Sequence, residues 1–215
     1  MLIVLDGVYS AGKSTLIKLL ARHLAEESGE PTVTDWNSSE LVGELIPRWK
    51  REGRLGAYSL LFAEATDLAH RCETVIRPRL EAGEVVIADR YVLSGMARAL
   101  IRGADRNLVE AAFGFAPRES LTVLVECPAR ITLKRRIRLG KVLDGYHSGR
   151  DFRQGSSVEE DFVEYQETMA RLYRGLVPDR GRRIYIDTTA MTPNAGVETI
   201  MACVRALREA VGAAS

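Results

Sequence analysis

The chain opens on a strand-length apolar run, Met1-Leu2-Ile3-Val4-Leu5, and passes through Asp6 into Gly7-Val8-Tyr9-Ser10-Ala11-Gly12-Lys13-Ser14-Thr15. A helical pattern follows at once, with Leu16, Leu19, Leu20 and Leu24 on one face. Strand, glycine loop and helix in that order fit the G-x-x-x-x-G-K-[ST] pattern in full, and they commit the chain to a β–α unit built on a parallel sheet. Gly7 and Gly12 allow backbone angles that a side chain forbids, so the amides from Ser10 to Thr15 can line a concave anion site. The helix N-terminus adds partial positive charge beneath it. Lys13 is placed to reach β and γ phosphates, and Ser14 to put its hydroxyl on Mg²⁺. These residues describe a site for a nucleoside triphosphate.

Strand-like runs and helical stripes alternate through the rest of the chain. Thr32-Val33-Thr34, Val85 to Ala88, Leu121 to Glu126 and Arg183 to Asp187 read as further strands. Helical periodicity spans the intervals: Leu41 to Ile46 after a Ser38 or Ser39 cap, with Pro47 bending or ending it; Ala57 to Leu80; Ser94 to Ile101; Arg106 to Phe113; from Pro128; Val158 to Val177; and Pro193 to Val211. The expected fold is α/β, a three-layer arrangement with a five-stranded parallel sheet and helices on both faces. In such sheets ligands bind beyond the carboxyl ends of the strands. Asp35, Asp89, Arg90 and Asp187 fall there. At 215 residues one domain, 1–215, is expected, with a lid at about 139–157 where apolar rhythm gives way to Gly, Arg, Lys and Ser.

Net charge of +1 offers no basic field for nucleic acid or an anionic membrane, and no apolar run reaches membrane-spanning length. Cys72, Cys127 and Cys203 lack metal or disulfide spacing and fit a reducing compartment. His23, His70 and His147 make no metal pattern. A cytoplasmic protein with a small-molecule acceptor is the expectation.

The strand ends supply the rest of the chemistry. Asp89 is placed to hold Mg²⁺ with Ser14. Arg90 is a candidate for orienting the acceptor or the transferring phosphoryl group. Arg138, close after Lys134, Arg135 and Arg136 and before the lid's Lys141, Arg150 and Arg153, is a candidate for screening charge as a lid closes. Trp36, beside Asp35, borders the acceptor or serves packing.

Taken together, these residues resemble the thymidylate kinase family of P-loop nucleoside monophosphate kinases over nearly the whole chain. Ala11-Gly12-Lys13-Ser14 matches its loop. Asp89-Arg90-Tyr91-Val92-Leu93-Ser94-Gly95-Met96-Ala97 matches its D-R-[YH]-x-x-S-G-x-A run, and Leu133-Lys134-Arg135 its lid approach. The resemblance implies ATP and Mg²⁺ as cofactors, Phe62 of Leu60-Leu61-Phe62 against the acceptor base, Tyr91 nearby, Asp187 of Ile186-Asp187-Thr188 beside adenine, and a homodimer joined through helices flanking the sheet.

The acceptor half departs from that pattern. The loop acid of the family is Tyr9 here, the arginine after strand two aligns nearest Ser38, and the arginine after the stacking phenylalanine is Thr66. Each lost charged contact is worth about 1.5–3 kcal/mol. Asp35 offers a carboxylate where kinases of hydroxyl groups place a base. The sequence therefore points to transfer of the ATP γ-phosphoryl group to a nucleoside or other hydroxylated metabolite. A nucleoside monophosphate (thymidylate) kinase is the alternative, and an ATP-binding regulatory protein without transfer is the third reading.

Overall fold

The computed structural model describes residues 1–176 and 182–212. Five strands, β1 (Leu2–Gly7), β2 (Thr32–Asp35), β3 (Val86–Asp89), β4 (Leu121–Glu126) and β5 (Arg182–Asp187), form one sheet in the order β2-β3-β1-β4-β5. Every pairing is parallel. Continuous apolar runs make such strands because both faces are covered; every residue of β1, for instance, is buried.

Two groups of helices cover the sheet. One is α1 (Lys13–Ser28) packed on α9 (Pro193–Gly212); the other joins α3 (Ala57–Arg71), α5 (Val92–Ile101), α7 (Ala129–Arg138) and α8 (Val158–Gly175). Between them in sequence lie α2 (Leu45–Arg51), α4 (Arg77–Glu81) and α6 (Arg106–Ala112). The chain leaves β1 toward β2 and β3, then crosses β1 to reach β4. The end of β1 is thus where the winding direction reverses, and such a point opens a crevice for ligands.

Two local expectations need correction. The segment from Leu41 is a series of turns, and α2 starts at Leu45 with Pro47 inside its first turn, where a missing N–H costs nothing. The long helix expected from Ala57 to Leu80 is interrupted by a π-helical turn at Cys72–Ile76. Val177, the expected end of α8, lies outside the described residues.

Gly7 and Gly12 show why the loop needs glycine. Gly7 has φ +143°, and a Cβ there would stand 2.2 Å from the Val125 carbonyl oxygen of the neighbouring strand. Gly12 has φ +110° at the N-cap of α1.

Candidate active site

A cleft of about 720 Å³ lies over the carboxyl ends of β1, β2 and β3. Its floor is the loop from Tyr9 to Thr15, and its walls include Asp35, Trp36, Asp89, Arg90 and Arg138. The structure thus brings into one cavity most of the residues that sequence spacing singled out. Lys13 is buried, its ammonium donating to the carbonyls of Gly7 (3.1 Å) and Val8 (3.0 Å). Burial, aided by Arg90, lowers its pKa to about 7 against the opposing pull of Asp89 and Asp6.

Asp89 Oδ1 is buried and has no hydrogen-bond partner. Among the described residues no cluster of three His, Cys, Asp or Glu side chains forms a protein-only cation cage. An orphaned carboxylate oxygen in the same cleft as the Ser14 hydroxyl suits Mg²⁺, which keeps waters and phosphate oxygens as its other ligands. Arg90 adopts φ +71°, a strained angle for a side-chain residue, held by its N–H to the Leu5 carbonyl. Its Nη1 donates to Gly7 O (2.9 Å), Ser94 Oγ (3.1 Å) and Tyr173 Oη (3.1 Å), which fixes the guanidinium beside the loop. Ser94 Oγ in turn donates to Asp6, whose carboxyl is pushed up by burial.

Asp35 ends β2 directly beside Asp89 in register. Its Oδ1 accepts the Trp36 N–H at 2.7 Å, and burial together with the Asp89 charge raises its pKa.

Three residues expected at the site stand elsewhere. Tyr91 is fully buried; its hydroxyl donates to Pro117 O and meets Cys72 Sγ, so it packs the core rather than an acceptor. Phe62 is half-exposed and absent from the cleft walls, because it shares the solvent face of α3 with Thr66 one turn on. Asp187 turns its carboxylate to the N–H and hydroxyl of Thr189, and the neighbouring Thr188 lines the cleft instead.

The basic residues around 134–153 divide by task. Arg135 is structural, tying Ala11 O to Thr188 (2.9–3.1 Å). Arg138 and Lys141 border the cleft. Arg150 and Arg153 pair with Asp161 and Glu164 on α8. Arg136 lies 4.4 Å from the centre of the Tyr9 ring, and His147 stacks on that ring at 3.7 Å. Gln166 joins the same contact, accepting from Tyr9 N and donating to His147 O, both at 2.8 Å. Tyr9 is thus a seat for the 139–157 segment. Burial lowers the His147 pKa to about 4 despite its bonds to Asp144.

Sequence reasoning missed a buried polar cluster beside the cleft, which two of its members, Trp36 and Arg98, line. Glu64 Oε1 accepts from Trp36 Nε1 (3.2 Å), Lys50 Nζ (2.7 Å), Arg98 Nη1 (3.2 Å) and Tyr146 Oη (3.2 Å). Burial alone pushes the Glu64 carboxyl up, but Lys50 and Arg98 outweigh it and bring the pKa down to about 2. One signal was available: Arg98 is the lone charge in α5, a helix otherwise apolar or small and almost wholly buried. A charge there requires a counter-ion or a ligand.

A thymidylate kinase family model matches residues 5–190. The chain belongs to the thymidylate kinase family. It is accordingly an ATP-dependent kinase, with the α/β P-loop fold described above. It is 30% identical over 187 residues to a protein of Saccharolobus solfataricus described as probable thymidylate kinase 2, covering 87% of each chain. A probable thymidylate kinase of Pyrococcus horikoshii is 37% identical over 141 residues, covering 62% of this chain and 68% of that one. A thymidylate kinase of Desulfovibrio desulfuricans is 29% identical over 201 residues, covering 90% and 89%. Family membership favours the nucleotide acceptor that sequence reading had ranked second. No helix among the described residues is long and apolar enough to cross a membrane.

Proposed function

We propose that this chain is a Mg²⁺–ATP-dependent nucleoside monophosphate kinase that converts thymidylate, or a closely related monophosphate, into the diphosphate. The observation that carries this reading is the concentration of guanidinium groups in the cleft. Arg90, Arg98, Arg136 and Arg138 line the same cavity as the loop, so an anionic acceptor bound there meets fixed cations. The relatives' activities support the same choice of acceptor.

In this reading the loop amides and Lys13 bind the donor phosphates, and Arg90 orients the acceptor phosphate for in-line attack. Ser14 and Asp89 would hold Mg²⁺, which would supply positive charge to the phosphate oxygens. Arg138 adds charge from the end of α7, and the 139–157 segment that follows acts as a lid seated on Tyr9 and excludes water. An acceptor phosphate is already anionic and needs no base, so Asp35 does not abstract a proton.

A hydroxyl acceptor is the second reading, and it keeps one observation in its favour: Asp35 does line the cleft. The test is ATP consumption with a panel of nucleosides and their monophosphates, for the wild type and Asp35→Asn. Monophosphates are expected to be turned over, and Asp35→Asn is expected to leave that turnover nearly intact. Turnover of nucleosides alone, with the about 10²–10⁴-fold loss that accompanies removal of a general base, would overturn the proposal.

A further inference from the structure

Helix α8 reaches the glycine loop at two points. Two of its buried side chains, Gln166 and Tyr173, stand seven positions apart, which is about two turns and returns to nearly the same face. Gln166 accepts from the N–H of Tyr9, and Tyr173 accepts from Arg90, whose guanidinium also rests on Gly7 O. One helix thus holds both ends of the segment Gly7-Val8-Tyr9. The carbonyls of Gly7 and Val8 within it are the ones that carry Lys13.

The protons can be assigned along the Tyr173 contact. Ser94 has one O–H and gives it to Asp6, so at the 3.1 Å contact between Ser94 and Tyr173 the tyrosine is the donor. Its oxygen remains free to accept from Arg90. Tyr173, Ser94 and Asp6 therefore form a directed chain that ends on a fully buried carboxyl. Arg90 Nη1 is held among Gly7 O, Ser94 Oγ and Tyr173 Oη. Among the described residues its Nε and Nη2 give no hydrogen bond, and Arg90 lines the cleft. Anchoring one nitrogen leaves free the Nε–Nη2 edge, which can grip two oxygens of a phosphate side-on.

The first half of α8 carries the 139–157 segment. Asp161 accepts from Gly155 N at 3.3 Å and pairs with Arg150 at 3.5 Å. Tyr165 accepts from Arg102, which itself holds Asp151 and Tyr146 O. Gln166 then bridges lid and loop with a single amide. The orientation of that amide is forced, because Tyr9 N needs an acceptor and His147 O needs a donor. With the lid seated, the amide is locked at both ends; with the lid lifted, it would lose the His147 carbonyl.

We infer that Gln166 and Tyr173 are positioning residues of the phosphoryl transfer: Tyr173 aims Arg90 at the acceptor phosphate, and Gln166 ties that aim to a seated lid. Both act through other groups, Tyr173 through the Arg90 guanidinium and Gln166 through the backbone of Tyr9 and His147. Helix α8 is their common support. This inference rests on the reading in which Arg90 orients an acceptor phosphate.

The experiment measures kcat, and KM for ATP and for the monophosphate that the wild type turns over fastest, in Tyr173→Phe, Gln166→Met, Arg90→Lys and the two pairings with Arg90→Lys. Melting and hydrogen exchange of the 139–157 segment are recorded for each. Tyr173→Phe keeps the ring and removes one hydroxyl. It is expected to lower kcat at least about tenfold, the usual worth of a hydrogen bond to a charged group, with KM for ATP moved less than about twofold and lid exchange unchanged. Gln166→Met is expected to lower kcat in the same way and to speed lid exchange as well. In the Arg90→Lys background neither is expected to lower kcat further, because the guanidinium through which they act is already gone. If Arg90→Lys is too slow to measure, the Tyr173→Phe/Gln166→Met double variant decides. A loss no greater than the larger single loss supports the shared route, and a loss equal to the product of the two overturns it. An unchanged kcat in both single variants, whatever their melting, is the purely structural result and overturns the inference. So does a full additional loss in the Arg90→Lys background, or lid exchange that Gln166→Met leaves unmoved. Absence of turnover with every monophosphate overturns the function reading, and the inference with it.

Discussion

The two ends of the cleft are built in opposite ways. The donor end is a contiguous stretch, Tyr9 to Thr15, that works largely through backbone amides and one buried lysine. The other end, where the proposed acceptor binds, is assembled from side chains of the loop after β2, α2, α3, α5 and the 139–157 segment, meeting around Glu64. Backbone recognition tolerates many side chains provided the glycines stay. Side-chain recognition depends on every residue that supplies a contact, so it can be rebuilt one residue at a time while the backbone loop stays as it is.

The comparison predicts where damage is structural and where it is catalytic. The largest effect is expected from Glu64→Ala, which leaves Lys50 and Arg98 buried without their shared counter-charge. Breaking such a network costs about 3–5 kcal/mol, measurable by denaturant unfolding. A loss under about 1 kcal/mol, the range of an exposed pair, would show that the acceptor end is not a cooperative cluster.

Lys13→Ala should do the reverse. It removes a cation whose charged form burial already disfavours, so stability changes little, while kcat falls about 10²–10³-fold, as when a transition-state donor is lost. Steady-state turnover beside a melting curve separates the two. Equal loss of stability in both variants would erase the distinction drawn between the ends.

The smallest effect concerns the contact joining the ends. His147 has a folded-state pKa of about 4, below its ordinary value of 6.5, so the unfolded chain binds more protons between those values. The contribution of a neutral His147 is fully present above about pH 6.5 and is lost as pH falls through about 4. Hydrogen-exchange protection of the 139–157 segment is expected to rise with pH across that window, and His147→Phe to flatten the rise. A profile identical in the two proteins would remove His147 from the seating of the segment on Tyr9.

Much of this was legible beforehand, for identifiable reasons. The glycine loop and the alternation of apolar runs with helical stripes are local, and local periodicity encodes backbone shape. Strand β4 and the starts of α3 and α9 accordingly match the spans expected from sequence. The placement of Lys13, Asp35, Asp89 and Arg90 in one cleft also followed, because strand ends in a parallel sheet share an edge. The face that α3 turns inward did not follow. Phe62 and Glu64 are two residues apart, about 200° around the helix, and either could have met the cleft. The packing of α3 on α5 and the counter-charges of Lys50 and Arg98 put Glu64 inside and Phe62 outside.

The sequence by itself determined the fold class, the donor site and the family, since each rests on residues near one another in the chain. Only the tertiary structure decided the polar cluster at the other end of the cleft. Trp36, Lys50, Glu64, Arg98 and Tyr146 span 111 positions, and a polar cluster of that kind exists only when packing takes its charges out of water together and each becomes the others' solvent.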